Sequence, residues 1–363
     1  MKATQQLRDT GQSLWLDNIT RDLLTSGTLA RYIGELSVSG LTSNPTIFDH
    51  AIRNADFYDD AIRNKTLAGK SDEALFFELA LEDLTRAADL FRPIFDASGG
   101  VDGWVSLEVS PLLADDTAAT IKAAVQLHAR AQRPNLFIKI PGTPAGIPAV
   151  EEAIFAGVPV NVTLLFSREH CVAAAEAYMR GIERRIAAGL DPKVGSVASL
   201  FVSRWDVAVK DKVLDELRNR LGIAIAMRTY KAYRELLASK RWQKLAASGA
   251  HPQRLLWAST GTKDPAAPDV LYVEALAAPD TINTMPEKTL LAFADHGKTT
   301  SILATDGGNA EAVIADFAKA GIDDASLAAA LQRDGTAAFA DSWNDLMRCI
   351  VSKSAMLAKA GQK

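Results

Sequence analysis

A (β/α)8 TIM barrel with additional C-terminal helices is the fold that the sequence predicts, and three observations support it. The chain has 363 residues, of which 48% are apolar and 23% charged, as in an ordinary globular protein. Eight short apolar segments recur along it, and helical patterns fill most of the gaps between them. Seven of these segments carry polar or ionisable side chains that are assigned to one common face. No linker-like segment divides the chain, so residues 1–363 are interpreted as a single domain.

The strand candidates and the helices between them follow in chain order. The eight candidates are SLWLDN, LSVSGLTSN, GWVSLEVS, NLFIKIPG, VPVNVTLLFS, VGSVASLFVSRW, RLLWASTG and VLYVEAL. Helical periodicity follows the first, second, third and fifth candidates. The segment TKDPAAPD, before the eighth candidate, is too short and proline-rich for an ordinary helix, so the barrel is expected to be irregular there. From about residue 308 a helical extension is predicted, which is expected to pack across the barrel or against another subunit.

Charge and cysteine content exclude several classes of protein. A formal net charge of −4 argues against nucleic acid as a partner, because phosphate binding requires a concentrated positive surface. Cys171 and Cys349 lie far apart in helical patterns and are predicted to be buried free thiols in a reducing compartment. No signal-peptide core or long apolar run is present, so a cytoplasmic location without membrane contact is expected. The oligomeric expectation is a monomer or a homodimer.

One lysine stands inside an apolar strand candidate. Lys139 lies in NLFIKIPGT between Ile138 and Ile140, and the apolar run ends at Pro-Gly. A lysine in a low-dielectric site loses part of its preference for the charged form, and a neutral amine attacks carbonyl carbons. A snorkelling surface lysine is the alternative interpretation, so the other strands must decide between the two.

Alternation along the strands places further polar residues beside Lys139. Successive residues of a barrel strand face the interior and the helix layer in turn. This pairs Lys139 with Phe137, and it also assigns Trp257 and Leu165 to the interior with their polar neighbours. The polar residues assigned to the interior are Asp17, Thr42, Asn44, Ser106, Glu108, Ser110, Lys139, Asn161, Thr163, Ser199 and Ser259. Such a set near the carboxyl ends of strands is typical of a barrel active site.

These residue types fit amine catalysis. A lysine amine attacks a ketone, the carbinolamine loses water with acid–base help, and the protonated imine accepts the electrons of a cleaved carbon–carbon bond. The chemistry requires no cofactor. The five histidines are scattered, so no metal site is predicted, and no dinucleotide fingerprint follows a strand. A catalytically silent barrel that acts as a scaffold is the alternative, and it would be expected to lack the lysine or its acid–base partners.

Several segments resemble a known family. LTSNPTIF, IKIPGTPAGIPAVEEAIFAGVPVNVTLLFS and ASLFVSRWD resemble the signature segments of transaldolase, the Schiff-base transferase of the non-oxidative pentose phosphate pathway. LLWASTGTKDP followed by APDTINTMP resembles the longer bacterial branch of that family. The resemblance extends from the first strand to Pro286.

The resemblance implies roles for individual residues. Lys139 would form the Schiff base with fructose 6-phosphate or sedoheptulose 7-phosphate, and Asp17 would exchange a proton with the C4 hydroxyl. Glu108 and Thr163 would hold the water that moves protons during imine formation and hydrolysis. The residues expected to bind the phosphorylated sugars are Asn44, Thr42, Asn161, Ser199, Phe201, Arg204, Ser259 and Lys263.

The sequence departs from the family pattern at one position. Many transaldolases place a second arginine two residues after the serine that matches Ser259, where this chain has Gly261. Lys263 follows in the same loop and is the candidate for that charge, as a point cation rather than a guanidinium fork. The alternative activity is that of a fructose 6-phosphate aldolase, which releases free dihydroxyacetone. Those enzymes are shorter and resemble a barrel that uses a tyrosine for proton transfer, where this chain offers Glu108.

Overall fold

Eight parallel strands form a closed barrel in the computed structural model, which describes residues 2–70 and 72–360. Met1, Ser71 and residues 361–363 lie outside the described residues. Each strand pairs with the next in the chain, and the last pairs with the first. The strands are β1 Ser13–Asp17, β2 Val38–Thr42, β3 Val105–Glu108, β4 Leu136–Pro141, β5 Val160–Leu165, β6 Ser196–Phe201, β7 Gln253–Ala258 and β8 Thr281–Met285. The predicted (β/α)8 barrel is confirmed.

Helices fill the connections between the strands and continue after the last one. Before β3 they are α1 Ala3–Asp9, α2 Arg21–Thr25, α3 Thr28–Leu36, α4 Pro45–Arg53, α5 Asp59–Leu67 and α6 Asp72–Ala97. Between β3 and β7 they are α7 Thr117–Ala131, α8 Gly146–Phe155, α9 Arg168–Ala187, α10 Ser203–Val209, α11 Leu221–Ala238 and α12 Lys240–Ala247. The remaining helices are α13 Leu271–Ala275, α14 Glu287–His296, α15 Ala310–Lys319 and α16 Asp324–Ala360. None of these helices is both long and apolar enough to cross a membrane.

The eighth strand differs from the prediction. The apolar pattern assigns it to VLYVEAL, but this segment contains α13, which lies between β7 and β8. The strand itself is formed by TINTM, which pairs with β7 and β1. A short apolar run indicates burial without deciding between strand and helix, and α13 is buried through Tyr272 and Val273. The correction supplies a helix for the connection that was expected to be irregular.

Aromatic side chains fill the interior of the barrel below its carboxyl end. The rings of Trp104 and Phe137 are stacked with centroids 4.0 Å apart, and Trp15 lies 6.2 Å from Phe137. Trp15 packs against β2 at Gly40, where an added Cβ would lie 2.5 Å from the indole. These rings are buried, so they form part of the packed core of the barrel.

The predicted alternation fails at two residues with left-handed backbone. Leu164 has φ 57°, and the register between β5 and β6 shifts beside it. Leu164 therefore belongs to the same apolar cluster as Trp15, Trp104 and Phe137, and Leu165 packs in the helix layer, contrary to the prediction. Ser259 also has φ 57°, directly after β7 ends. Its predicted partner Trp257 packs in the helix layer and not in the interior.

The long helix α16 crosses the carboxyl end of the barrel and packs on α4, α5 and α6. Its Trp343 lies against two phenylalanine rings of α6. The Gln332 amide donates hydrogen bonds to the carbonyls of Gly142 and Leu164, at 3.0 and 2.9 Å. The extension thus takes the first of its two predicted arrangements. Because it is joined to the barrel in this way, we propose that the described residues form one domain.

Candidate active site

A cavity of about 260 Å³ opens at the carboxyl ends of the strands, beneath α16. It brings together residues from seven strands or the loops that follow them, as expected for a barrel active site. The predicted site residues that line it are Asp17, Thr42, Asn44, Lys139, Thr163, Ser199, Phe201, Arg204, Ser259 and Lys263. Two others, Glu108 and Asn161, lie in the layer of side chains directly below.

Lys139 extends from β4 into this cavity and is only 5% exposed. Its Nζ lies 3.2 Å from Oε2 of Glu108 and donates a second hydrogen bond, also of 3.2 Å, to the carbonyl of Ser43. Glu108 stands directly opposite Lys139 in the register of β3 and β4. The two side chains therefore emerge at the same level of the barrel, and a buried amine has a buried carboxylate as its immediate partner.

Burial dominates the electrostatics of Glu108. It raises the pKa of this carboxyl, and the nearby charge of Asp17 raises it further, while the ammonium of Lys139 opposes the shift. The Oε1 atom of Glu108 is buried without a hydrogen-bond partner among the described residues. The same holds for Oγ1 of Thr163 on β5. Both groups are thus available to bind a water molecule or a substrate hydroxyl.

Asp17, at the end of β1, is the second carboxylate of the site. Its Oδ1 accepts a hydrogen bond of 2.7 Å from Thr42, whose hydroxyl also lies 2.7 Å from that of Thr284. Burial raises the pKa of Asp17, whereas Lys139, Thr42 and Lys263 act in the opposite direction. A carboxylate with a raised pKa that faces a cavity is suited to take and return a proton near neutral pH.

The two asparagines occupy different positions. Asn44 caps α4, with its Oδ1 accepting from the backbone N–H of Ile47 at 3.1 Å, and it lines the cavity. Asn161 is fully buried and is held on both sides, because it donates to Ser106 at 3.1 Å and accepts from Ser199 at 2.7 Å. Asn44 is therefore placed to touch a ligand directly, and Asn161 orients Ser199 at the cavity floor.

Positive charge stands in the part of the cavity lining formed by Arg204 and Lys263. Arg204, in the first turn of α10, lies with its guanidinium carbon 5.7 Å from the Phe201 ring centroid, and burial lowers its pKa. Lys263 is exposed at the rim. Neither side chain forms an ion pair with a carboxylate among the residues that the structure describes. Ser259 lies between them in the lining, with its hydroxyl 2.9 Å from that of Ser203. This part of the cavity is suited to bind an anion such as a phosphate.

Sequence reasoning missed several side chains of the lining, and two of them, Thr284 and Phe339, lie close to predicted site residues. Thr284 was missed because β8 was assigned to the wrong segment. In TINTM, Ile282 and Thr284 are two residues apart and therefore share the strand face that points into the barrel. Phe339 comes from α16, and its ring centroid lies 5.7 Å from Nζ of Lys139. The apolar periodicity of α16 indicated a packed helix face but could not indicate what that face covers.

The arrangement combines a buried amine, two carboxylates of raised pKa and, in the lining, two cations that have no ion-pair partner in the described part of the chain. Within residues 2–70 and 72–360, no group of three His, Cys, Asp or Glu side chains is close enough to hold a metal ion. The lining contains no thiol and no imidazole. Of the two lysine amines in the lining, Lys139 is buried beside Glu108 and Lys263 is exposed, so Lys139 is the candidate for imine formation with a carbonyl compound.

Comparison with known proteins agrees with this chemistry. A family model described as Transaldolase/Fructose-6-phosphate aldolase matches residues 14–350. A protein named Transaldolase from Parafrankia sp. (strain EAN1pec) is 43% identical over 358 residues, which are 96% of this chain and 97% of the relative. Proteins of the same name from Thiobacillus denitrificans (strain ATCC 25259 / T1) and Thermobifida fusca (strain YX) are 43% and 44% identical. They cover 96% and 94% of this chain, and 99% and 96% of their own lengths are matched. The chain belongs to the transaldolase/fructose-6-phosphate aldolase family.

Proposed function

We propose that the chain is a transaldolase, a transferase that moves a dihydroxyacetone unit between phosphorylated sugars in the pentose phosphate pathway. The donor is sedoheptulose 7-phosphate or fructose 6-phosphate, and the acceptor is glyceraldehyde 3-phosphate or erythrose 4-phosphate. The observation that carries this proposal is the buried Lys139 amine beside Glu108, in a cavity that Arg204 also lines without an ion-pair partner among the described residues. The names and full-length similarity of the relatives support it.

Imine formation is the first step. The Lys139 amine attacks the C2 carbonyl of the ketose, and the resulting carbinolamine loses its hydroxyl as water. Glu108 supplies and recovers the protons through a water molecule that it shares with Thr163. The buried, unpartnered Oε1 of Glu108 and Oγ1 of Thr163 support this role, because a bound water satisfies both.

Cleavage of the carbon–carbon bond is the second step. Asp17 takes the proton of the C4 hydroxyl, the C3–C4 bond breaks, and its electron pair moves into the iminium to give an enamine on Lys139. The shortened aldose leaves. The enamine carbon then attacks the acceptor aldehyde, and Asp17 returns its proton to the new hydroxyl. Water then hydrolyses the new iminium, which releases the product ketose and the Lys139 amine. The raised pKa of Asp17 supports this exchange, because a general acid–base catalyst works best when its pKa lies near the operating pH.

The remaining residues hold the substrates. We assign the dihydroxyacetone hydroxyls to Asn44, Thr42 and Ser199, with Asn161 acting through Ser199 and Phe201 packing beside the chain of carbons. The phosphate is assigned to Arg204, Ser259 and Lys263. We also propose a cytoplasmic location, in keeping with the free, buried Cys171 and Cys349, and a monomer or homodimer as the working form.

Borohydride trapping tests the Schiff base. The protein is mixed with fructose 6-phosphate and sodium borohydride, and the modified peptide is found by mass spectrometry. We expect a reduced three-carbon or six-carbon adduct on Lys139 and none in Lys139→Ala. An active protein without an adduct would contradict the mechanism.

An assay of donor turnover tests the transfer. Formation of glyceraldehyde 3-phosphate from fructose 6-phosphate is measured with and without erythrose 4-phosphate. A transaldolase turns over efficiently only when the acceptor is present. Equal rates in both conditions would instead identify an aldolase that releases free dihydroxyacetone.

A further inference from the structure

Phe339 of α16 places an aromatic ring near the reactive amine from outside the barrel. Its ring centroid lies 5.7 Å from Nζ of Lys139 and 6.4 Å from the ring of Phe201. The side chain is 7% exposed and lines the cavity together with Asp17. It thus stands at the place where a group attached to Lys139 would extend into the cavity.

The position of Phe339 is fixed from both sides along α16. Seven residues earlier, Gln332 is hydrogen-bonded to the carbonyls at the ends of β4 and β5. Three residues later, the hydroxyl of Ser342 lies 2.9 Å from that of Thr46 on α4. Gly335 faces Leu164 so closely that a Cβ would come within 3.1 Å of its side chain. These contacts hold the helix at a defined height above Lys139, so the ring is part of the site.

The proposed reaction has a step at which water is a competitor. After donor cleavage, the enamine on Lys139 carries a nucleophilic carbon. If this carbon attacks an aldehyde, the unit is transferred. If it is protonated instead, water hydrolyses the iminium, and dihydroxyacetone and the free amine are released. The two outcomes share every earlier step, so their ratio depends on access of water and proton donors to the enamine.

We propose that Phe339 determines this ratio by covering the enamine with an apolar surface, which makes it a specificity-determining residue for transfer over hydrolysis. The inference rests on the proposed transaldolase function. The aromatic ring excludes water from the side of the cavity that α16 covers, while the mouth beside Arg204 and Lys263 admits the phosphorylated acceptor. The enamine therefore survives until an aldehyde arrives.

The test compares two rates in Phe339 variants. Steady-state release of glyceraldehyde 3-phosphate from fructose 6-phosphate alone measures hydrolysis, with the product removed continuously, and the same rate with erythrose 4-phosphate measures transfer. We expect Phe339→Ala to raise the ratio of hydrolysis to transfer by about tenfold or more. Phe339→Leu keeps an apolar cover and is expected to stay within about twofold of the unsubstituted protein. Asp341→Ala, at an exposed position of the same helix, is the matched control.

The outcomes separate this inference from the proposed function. An unchanged ratio in Phe339→Ala, with both rates reduced alike, would show that the ring only packs the helix and would overturn the inference. Should Phe339→Ala fail to fold, Phe339→Val takes its place, and its ratio must still rise above that of Phe339→Leu. Borohydride labelling of Lys139 is followed in every variant. If the unsubstituted protein shows no labelling and no acceptor-dependent turnover, the proposed function itself fails and the inference about Phe339 falls with it, whereas an unchanged ratio in a labelled, acceptor-dependent enzyme overturns the inference alone.

Discussion

Oε2 of Glu108 lies 3.2 Å from Nζ of Lys139, and the two residues face each other across neighbouring strands. Burial nevertheless raises the pKa of the Glu108 carboxyl, because the loss of hydration outweighs the attraction of the ammonium. The pair therefore combines a tight contact with a carboxyl that accepts protons more readily than an exposed glutamate does. Such a carboxyl is suited to move protons to and from the carbinolamine.

Glu108→Gln tests this proton transfer. We expect kcat to fall about 10²-fold or more, because acid–base help in imine formation is lost while the amine remains. Since Glu108 and Asp17 both act as ionised bases with raised pKa values, activity should decline as pH falls, starting above the usual range of carboxyl groups. The acid side of the pH–rate profile should become less steep in Glu108→Gln, because one of the two titrations is removed. An unaltered profile would exclude Glu108 from the rate-determining chemistry.

Arg204→Ala tests phosphate binding. The guanidinium is unpaired among the described residues and partly buried, so its hydrogen bonds to a phosphate would contribute about 1.5–3 kcal/mol. We expect KM for fructose 6-phosphate to rise about 10- to 100-fold, with little change in the weak turnover of unphosphorylated fructose. The measurement is initial-rate kinetics with both sugars, and equal losses for both would rule out a phosphate contact.

Lys263→Ala tests the substitute for the missing second arginine. Because Lys263 is exposed, its ion pair with a phosphate is expected to contribute about 1 kcal/mol or less to binding. Loss of this pair in Lys263→Ala should therefore raise KM for the phosphorylated sugar a few-fold at most. Lys263→Arg should retain or improve binding, since it keeps the charge and adds a fork. If Lys263→Ala leaves the ratio of the two Michaelis constants unchanged, the assignment is withdrawn.

Gln332→Ala tests the connection between α16 and the barrel. The substitution leaves the carbonyls of Gly142 and Leu164 without their amide donor, at a cost of about 1–3 kcal/mol in the free energy of unfolding. We expect urea unfolding to show this decrease in the free energy of unfolding. We also expect kcat to fall, because Phe339 is held less firmly above Lys139. Asp334→Ala, exposed on the same helix, should change neither quantity by more than about 0.5 kcal/mol or its kinetic equivalent.

The buried carboxyl of Asp206 is expected to make the free energy of unfolding depend on pH. Burial raises the pKa of this carboxyl from 3.8 to about 6, against hydrogen bonds from Tyr272 and the N–H groups of Leu221 and Gly222. A raised pKa means that the folded state holds the proton more tightly, so the stabilising contribution is present below the unfolded pKa and lost as pH rises through about 6. The difference in unfolding free energy between the unsubstituted protein and Asp206→Asn should therefore fall by about 2 kcal/mol between about pH 4 and about pH 7. A constant difference in urea unfolding would contradict the shift.

Much of the fold was accessible from the sequence because it rests on local signals. Apolar strands with polar residues at alternate positions define the barrel, and for Lys139 and Phe137 the alternation predicted which face each side chain occupies. The pattern failed where the backbone departs from regular strand geometry, at Leu164 and Ser259. A left-handed residue there reverses the faces of its neighbours, and neither leucine nor serine signals such a conformation.

The rest of the site depends on tertiary packing. Phe339 lies about 200 residues from Lys139 in the chain, and only the placement of α16 across the barrel mouth brings their side chains together. Asn161 illustrates the converse. Its position on β5 was predicted, but the hydrogen bonds to Ser106 and Ser199 that engage both ends of its amide could not be read from a one-dimensional pattern.

The placement of Phe339 also has a consequence for the order of events during biosynthesis. All eight strands precede α16 in the chain, so a ribosome presents the whole barrel before the helix that covers it. A barrel assembled at that stage would already hold Lys139 opposite Glu108, with its amine open to the aldehydes and ketones of the cell. Docking of α16 then places the Phe339 ring near this amine and leaves the cavity as its route to carbonyl compounds.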